Sequence, residues 1–238
     1  WLRREPKPAR LLAHFLLPCG VPIATRATTT GTELEIVVHG SDARLFAALP
    51  GVGRSLIGAE LLRSGARLRF VSSELERLFL GGLGDAQRQR LQPFCRVEPC
   101  SIDVPAPLTR AGARQSLGIA TQARLAVVVA RLVPGKRVHV ALEACSRVSN
   151  LECIVVGDGP ERARLTQQYP RARFVGQVER STALSYLAAA DALVSASLHE
   201  GAPTVVREAR ALGTPVVCLN AGDLASWAET DTGIHVVA

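Results

Sequence analysis

Short runs of β-branched and aliphatic residues alternate with helical patterns along the second half of the sequence, and this alternation restricts the fold more than any other feature. The runs that predict strands cover residues 125–129, 153–156, 173–175, 192–195, 216–219 and 234–237. Strands that alternate with helices form a parallel sheet through right-handed crossovers. We therefore expect an α/β fold with a doubly wound sheet in this half.

The helical patterns between these strands carry recognisable start and stop residues. Ser181 suits the N-cap of a helix over 181–188, and Pro203 suits the first turn of a helix over 203–212. The Gly-Thr-Pro sequence at 213–215 ends the second helix.

The first half repeats this alternation less regularly. Its apolar runs and its helical pattern cover residues 11–17, 34–38, 56–63 and 68–71. Three prolines within residues 97–107 indicate a linker. We therefore predict two Rossmann-like domains, 1–105 and 106–238, that face each other across a cleft.

The formal net charge of +7 is unevenly distributed. Residues 1–100 carry 14 basic against 9 acidic side chains, and residues 101–238 carry 14 against 12. An arginine-rich first half favours a phosphorylated acceptor or peripheral contact with an anionic membrane. Nucleic-acid binding is disfavoured, because aromatic residues make up only 4% of the chain and no nucleic-acid-binding motif is present.

Cysteine and histidine usage argues against a metal site. The six cysteines form no CxxC pair, and the five histidines are scattered. No apolar stretch approaches the ~18–20 residues of a membrane span, and the N-terminal decapeptide lacks the apolar core of a signal peptide. We expect a cytoplasmic protein that needs no cofactor.

The loop at residues 131–136 is a candidate for binding phosphate. It follows one predicted strand and precedes a helix, a position where positive charge and backbone amides receive a diphosphate. Arg131 offers a planar guanidinium and Lys136 a point charge. Ligands of such sheets gather beyond the carboxyl ends of strands, so the loops after residues 129, 156 and 195 are expected to line one site. A solvated surface pair is the alternative.

Two glutamates flank the start of the helix predicted at 203–212. Glu208 falls at the edge of the apolar stripe of this helix, where a carboxylate needs a partner. Ribose or sugar hydroxyls would satisfy both Glu200 and Glu208. The alternative for Glu208 is a pair with Arg207 or Arg210, or contact with water.

The spacing of Glu200 and Glu208, within LHEGAPTVVREA and ahead of GTPVV, resembles the E-x7-E signature of glycosyltransferase family 4, the group 1 glycosyl transferases of GT-B fold. Other ordered motifs extend the resemblance over nearly the whole chain. They are AHFLLP at 13–18, HGSD at 39–42, VSSE at 71–74, ARL with Lys136, and GDGP at 157–160.

This resemblance implies a transfer of sugar from a UDP- or GDP-type nucleotide sugar to a glycan, lipid-linked or small-molecule acceptor, typically in the synthesis of cell-envelope polysaccharides. It implies retention of anomeric configuration without a metal. Glu200 would contact the donor sugar, Glu208 the ribose, and Arg131 with Lys136 the diphosphate. Further donor contacts are implied for Gly157, Gly201, Thr204 and Val205.

His39 would lie across the cleft near the reacting sugar, although a lone histidine is more often structural. Asp42 would orient the His39 loop or cap the helix that follows.

By the same resemblance, the chain begins downstream of the family's first strand and glycine-rich loop and stops before its terminal crossover helices. This leaves open a catalytically inactive nucleotide-sugar-binding module. A related enzyme such as a sugar-nucleotide epimerase is a second alternative, for which no acid and base residues can be placed.

Overall fold

The computed structural model describes residues 10–104 and 109–237. The chain forms two compact units that divide between Cys100 and Ser101. The boundary expected between residues 105 and 106, and most of the N-terminal decapeptide, lie outside the described residues.

The first unit contains a four-stranded parallel sheet. Its strands, in spatial order, are β1 (Arg10–His14), β2 (Glu33–Val38), β3 (Arg67–Phe70) and β4 (Cys95–Val97). Its α-helices are α1 (Val21–Thr30), α2 (Ser41–Ala48), α3 (Gly51–Ser64), α4 (Ser73–Gly81) and α5 (Asp85–Leu91).

The two faces of this sheet differ in chemistry because side chains alternate along each strand. On β2, Leu34, Ile36 and Val38 are buried in the apolar face. The opposite face carries Glu35, which is buried and pairs with arginines from the three other strands. The sheet is therefore tied together by a charged cluster as well as by its apolar core.

The second unit contains six parallel strands, as its sequence predicts. They are β5 (Arg124–Val129), β6 (Leu151–Val156), β7 (Arg173–Gly176), β8 (Ala192–Ser195), β9 (Val216–Leu219) and β10 (Ile234–Val237). The α-helices are α6 (Arg110–Leu117), α7 (Val138–Ser146), α8 (Arg162–Gln168), α9 (Arg180–Ala189), α10 (Thr204–Ala211) and α11 (Leu224–Thr230).

The strand order β10-β9-β8-β5-β6-β7 makes the sheet doubly wound. Alternate residues of β5 enter separate apolar clusters, with Leu125 and Val127 in one and Ala126 and Val128 in the other. The chain proceeds from β5 to β6 on one side and later returns to β8 on the other. Sheets of this kind bind ligands where the strand order reverses, and here that point is the carboxyl edge between β5 and β8.

Several boundaries differ from those predicted. Strand β1 ends at His14, because Phe15 has a φ of 71° and a short π-helical turn follows at Leu16–Gly20. The helix expected from Ser181 starts at Arg180, so Ser181 is not its cap.

Two differences concern the end of the second unit. Pro203 precedes the first turn of α10 instead of lying within it. Helix α11 was not anticipated from the sequence.

Candidate functional site

The loops that follow β5 and β8 meet at the carboxyl edge of the second sheet. The backbone N–H of Leu198 donates to the carbonyl of Gly135 at 2.9 Å. Next to this contact, Lys136 Nζ lies 2.6 Å from Glu200 Oε1. The structure thus places Lys136 and Glu200 side by side at the point where the strand order reverses.

Arg131 begins the first of these loops and is exposed. A short 3-10 turn at Pro134–Lys136 then directs Lys136 toward Glu200. The guanidinium and the ammonium therefore belong to one loop but have different surroundings, since only Lys136 is half-buried in an ion pair.

Gly157 lies directly against the loop that carries Arg131. Its φ is 134°, and a Cβ atom there would lie 1.9 Å from the carbonyl oxygen of Ala130. Gly159, with a φ of 157°, approaches the carbonyl of Leu132 in the same way. The amide of Leu132 donates to the carbonyl of Asp158 at 2.8 Å. Gly157 therefore shapes this loop through backbone packing, and its contact with a ligand stays a prediction.

The N-terminus of α10 follows Glu200 after a short turn through Gly201. The first amides of a helix have no partner within the helix, and no side chain caps those of α10. Thr204 is exposed and Val205 is half-buried there. Because the helix dipole places partial positive charge at this end, the turn can receive an anion.

Gly222, in the loop after β9, supports the same turn and was missed in the sequence. Its φ is 63°, and a Cβ atom would lie 2.8 Å from the carbonyl oxygen of Gly201 and 2.9 Å from that of Glu200. Its position three residues after a predicted strand was the available signal.

Glu208 lies on α10 and pairs with Arg180 at the start of α9. Arg180 donates from Nε at 3.1 Å and from Nη2 at 2.8 Å, both to Glu208 Oε1, and also to the carbonyl of Asp103. The pair considered with Arg210 does not form, because Arg210 binds Asp231. Sequence reasoning missed Arg180, since 28 residues separate it from Glu208.

His39 belongs to the first unit and follows β2. Its Nε2 lies 2.8 Å from Nδ1 of His14, and the planes of the two rings are within 19° of parallel, with centroids 5.1 Å apart. Burial and the neighbouring His14 ring lower the pKa of His39, and the Arg69 guanidinium acts in the same direction against the opposing charge of Asp42.

Asp42 is buried and organises the loop around His39. Its carboxylate accepts hydrogen bonds from the amides of Leu16, His39 and Gly40 at 2.7, 3.1 and 2.8 Å. No side chain caps α2. Of the two roles considered for Asp42, the structure supports orientation of the loop.

Among residues 10–104 and 109–237, no three His, Cys, Asp or Glu side chains are grouped so that they could hold a metal ion. Within the same ranges, no helix has both the length and the apolar character needed to span a membrane.

The parallel sheets resemble those of solved GT-B glycosyltransferases. One is Anabaena Alr3699/HepE, crystallised with UDP, with a TM-score of 0.74 at 20% identity over 92% of this chain and 62% of that one. Another is WaaG, a glycosyltransferase involved in lipopolysaccharide biosynthesis, with a TM-score of 0.71 at 18% identity over 100% of this chain and 66% of that one. The fold of the chain is therefore that of the GT-B glycosyltransferases.

Residues 110–237 match the family model of the group 1 glycosyl transferases, and the chain belongs to that family. It is 31% identical, over 94% of its length, to TuaC of Bacillus subtilis, a glycosyltransferase assigned to teichuronic acid biosynthesis. It is 28% identical, over 86% of its length, to the D-inositol 3-phosphate glycosyltransferase of Mycolicibacterium smegmatis. The chain covers 56% and 48% of these two relatives, and thus spans about half their length.

Proposed function

We propose that this protein transfers a sugar from a nucleotide-diphosphate sugar to a hydroxyl group of an acceptor. The observation that carries the proposal is the contact between Lys136 and Glu200 beside the uncapped N-terminus of α10. Positive charge, backbone amides and a carboxylate acceptor meet there, and these are the groups that a sugar diphosphate requires.

Each side chain then has a separate task in binding the donor. Lys136, exposed Arg131 and the amides of Thr204 and Val205 bind the diphosphate, while Glu200 accepts hydrogen bonds from sugar hydroxyls. Glu208 binds the ribose. Because Arg180 occupies only Oε1 of Glu208 in its two hydrogen bonds, Oε2 is the oxygen that would receive a ribose hydroxyl.

The transfer itself conserves atoms and charge as follows. The acceptor oxygen forms a bond to C1 of the sugar, the bond from C1 to the diphosphate oxygen breaks, and its electron pair leaves with the diphosphate. The hydroxyl proton passes to solvent. Arg131 and Lys136 stabilise the negative charge that develops on the leaving group, which is the main electrostatic contribution that we assign to this chain.

The resemblance to family 4 supports a reaction with retention and without a metal. In that case the acceptor attacks from the face that the diphosphate leaves, and the cations of the 131–136 loop act on the leaving group. His39 would contact the reacting sugar or the acceptor.

The names of the relatives support two acceptor classes. Teichuronic acid biosynthesis points to a cell-envelope glycan, and D-inositol 3-phosphate to a phosphorylated small molecule. The excess of basic over acidic residues in the first 100 suits either acceptor when it carries negative charge. We favour the anionic or lipid-linked glycan, because the more extensive match is to the teichuronic acid enzyme.

Thermal shifts with UDP-, GDP- and ADP-sugars test the donor site, because a ligand that binds the folded state raises Tm by mass action. We expect one nucleotide class to stabilise the protein and Lys136→Ala or Glu208→Ala to abolish most of that shift. Arg147→Ala is the matched control, since Arg147 is exposed at the C-cap of α7 and its ion pair is a local one with Glu143. Equal shifts in all four proteins would refute the donor site, whereas donor binding without release of free nucleotide would refute the transfer.

A further inference from the structure

Two histidines meet at the carboxyl edge of the first sheet, and only one of them has a role in the function proposed above. His14 ends β1 and His39 follows the neighbouring strand β2. The backbone N–H of Phe15 continues the pairing of these strands by donating to the carbonyl of Val37 at 2.9 Å. The two imidazoles then face each other through Nδ1 of His14 and Nε2 of His39 at 2.8 Å.

The side chain of Asp42 binds the backbone of both loops that carry the histidines. Asp42, 2% exposed, binds the amide of Leu16 in the loop after His14 and the amides of His39 and Gly40 in the loop after β2. One buried carboxylate therefore fixes both loops that carry the histidines. Hydrogen bonds to a charged acceptor are among the stronger ones in proteins, so the two loops are held firmly together.

Phe15 adds a third constraint on the His39 ring. Its ring centroid lies 4.8 Å from that of His39, and its backbone adopts a φ of 71° and a ψ of 122°. Such a conformation is costly for a residue with a side chain and persists only where the surroundings impose it. The phenyl ring thus packs against the His39 ring, while His14 contacts the same imidazole through a nitrogen.

The contact between two ring nitrogens restricts their protonation. A hydrogen bond at 2.8 Å requires one nitrogen to carry a hydrogen and the other to be bare. If both nitrogens carried a hydrogen, two N–H donors would point at each other at this distance, so the geometry opposes the doubly protonated pair. Arg69 on β3 opposes a positive charge on His39, whereas Asp42 on α2 favours it. The carboxylate of Asp42 already accepts hydrogen bonds from backbone amides, which compensate part of its negative charge.

We propose that His14 is a positioning residue that fixes the tautomer of His39 and keeps its ring uncharged, so that a neutral imidazole is presented to a hydroxyl of the sugar or acceptor. This rests on the proposed function for its chemical purpose. The histidine pair itself is a property of the first unit and can be measured without any substrate.

Nuclear magnetic resonance of the full 238-residue chain, labelled with 15N-histidine, tests the pair directly. Long-range proton–nitrogen correlations report whether each ring nitrogen carries a hydrogen, and a pH titration gives the pKa of His39. We expect that one of the two facing nitrogens, Nδ1 of His14 and Nε2 of His39, carries a hydrogen and that the other is bare. Replacement by His14→Phe keeps a ring but removes the nitrogen, so the tautomer of His39 becomes mixed and its pKa rises.

A second variant separates hydrogen bonding from packing. His14→Asn places an amide near the position of Nδ1, so a single tautomer of His39 should return. His235→Asn, at an exposed position on β10, is the control and should leave His39 unchanged. With an active donor and acceptor, His14→Phe should lower kcat about tenfold, with the KM for the donor unchanged and the acid limb of the pH profile moved upward. His14→Asn should recover most of that rate.

A mixed His39 tautomer in the unsubstituted protein, or an unaltered His39 pKa in His14→Phe, would overturn the inference. Failure of His14→Asn to restore the pH profile of the unsubstituted protein would also overturn it. If no sugar transfer is found but the complementary tautomers are, the proposed function fails and the histidine pair stands. If sugar transfer is found but the complementary tautomers are not, the inference about the histidine pair fails and the proposed function stands.

Discussion

Lys136 and Glu200 form an ion pair, with 2.6 Å between Nζ and Oε1, although 64 residues separate them in the chain. Strands β5 and β8 are neighbours in the sheet, so the loops that follow them emerge at the same edge. The side chains are 25% and 11% exposed. In the donor complex that we propose, the diphosphate competes for Lys136 while Glu200 turns to sugar hydroxyls.

The Lys136–Glu200 contact should stabilise the second unit even without donor. Lys136→Ala should reduce the free energy of unfolding by ~1–2 kcal/mol, because Glu200 keeps a largely buried carboxylate after its cation is lost. Urea unfolding of Lys136→Ala, of Glu200→Gln and of the double variant gives the coupling free energy between the two side chains, which we expect to be ~1 kcal/mol. Additive effects of the two substitutions would show that the ion pair contributes nothing.

Gly157→Ala should destabilise the second unit by ~3 kcal/mol or more. The new Cβ would lie 1.9 Å from the carbonyl oxygen of Ala130, and the φ of 134° is strained for alanine. Gly135→Ala is a matched control, because a Cβ there meets no atom within 4 Å. It should alter the free energy of unfolding by less than ~1 kcal/mol. Similar thermal melts for the two variants would contradict this account of the loop.

Asp42→Asn should loosen the two loops that carry the histidines. One of its oxygens becomes an amide NH2 that faces backbone N–H donors, so a loss of ~2 kcal/mol in unfolding free energy is expected. Hydrogen exchange should accelerate most at the amides of Leu16, His39 and Gly40. Asp85→Asn, at a side chain 87% exposed, is the control and should change stability by less than ~0.5 kcal/mol. Unchanged exchange at those three amides would exclude the proposed role of Asp42.

Glu35 should make the stability of the first unit depend on acid pH. Burial of its carboxyl opposes ionisation, but the hydrogen bond from Arg96 and the charges of Arg96, Arg10 and Arg69 together hold the pKa of Glu35 below its ordinary value. A carboxyl with a depressed pKa in the folded state stabilises that state above its unfolded pKa of ~4.3, and loses this contribution as the pH falls through the folded pKa.

Glu35→Gln tests this dependence. At pH 7 it should cost ~2 kcal/mol, because three arginines lose their shared carboxylate on a partly exposed sheet face. The difference between the parent and the variant should shrink as the pH drops below the ordinary carboxyl range. A difference in urea midpoints that stays constant from pH 7 to pH 3 would refute the assignment.

The sequence left the protein partner of Glu208 open between Arg207, Arg210 and water. In the structure Arg180, from the start of α9, is hydrogen-bonded to Oε1 of Glu208, and the binding of a ribose stays a prediction. A cation at the N-terminus of a helix is unfavourable toward the helix dipole, so nothing in the local pattern marked Arg180 for this position. Its partner Glu208, 28 residues later, supplies the compensating charge.

What the sequence determined by itself was local. Apolar runs, helical periodicity and glycine or proline stops predicted all six strands of the second unit, because these signals act over a few residues. They also indicated the 131–136 loop and the carboxylates at 200 and 208 as candidates for one site. The short helix α11 was missed.

Only the tertiary structure decided which of these segments meet. The placement of β5 between β6 and β8 joins Lys136 to Glu200, and that of β1 beside β2 joins His14 to His39. The physical reason is that strand order and register are fixed by packing of the whole sheet, whereas a sequence pattern specifies only the conformation of its own residues. The chemistry of both clusters therefore depends on contacts between residues 25 and 64 positions apart.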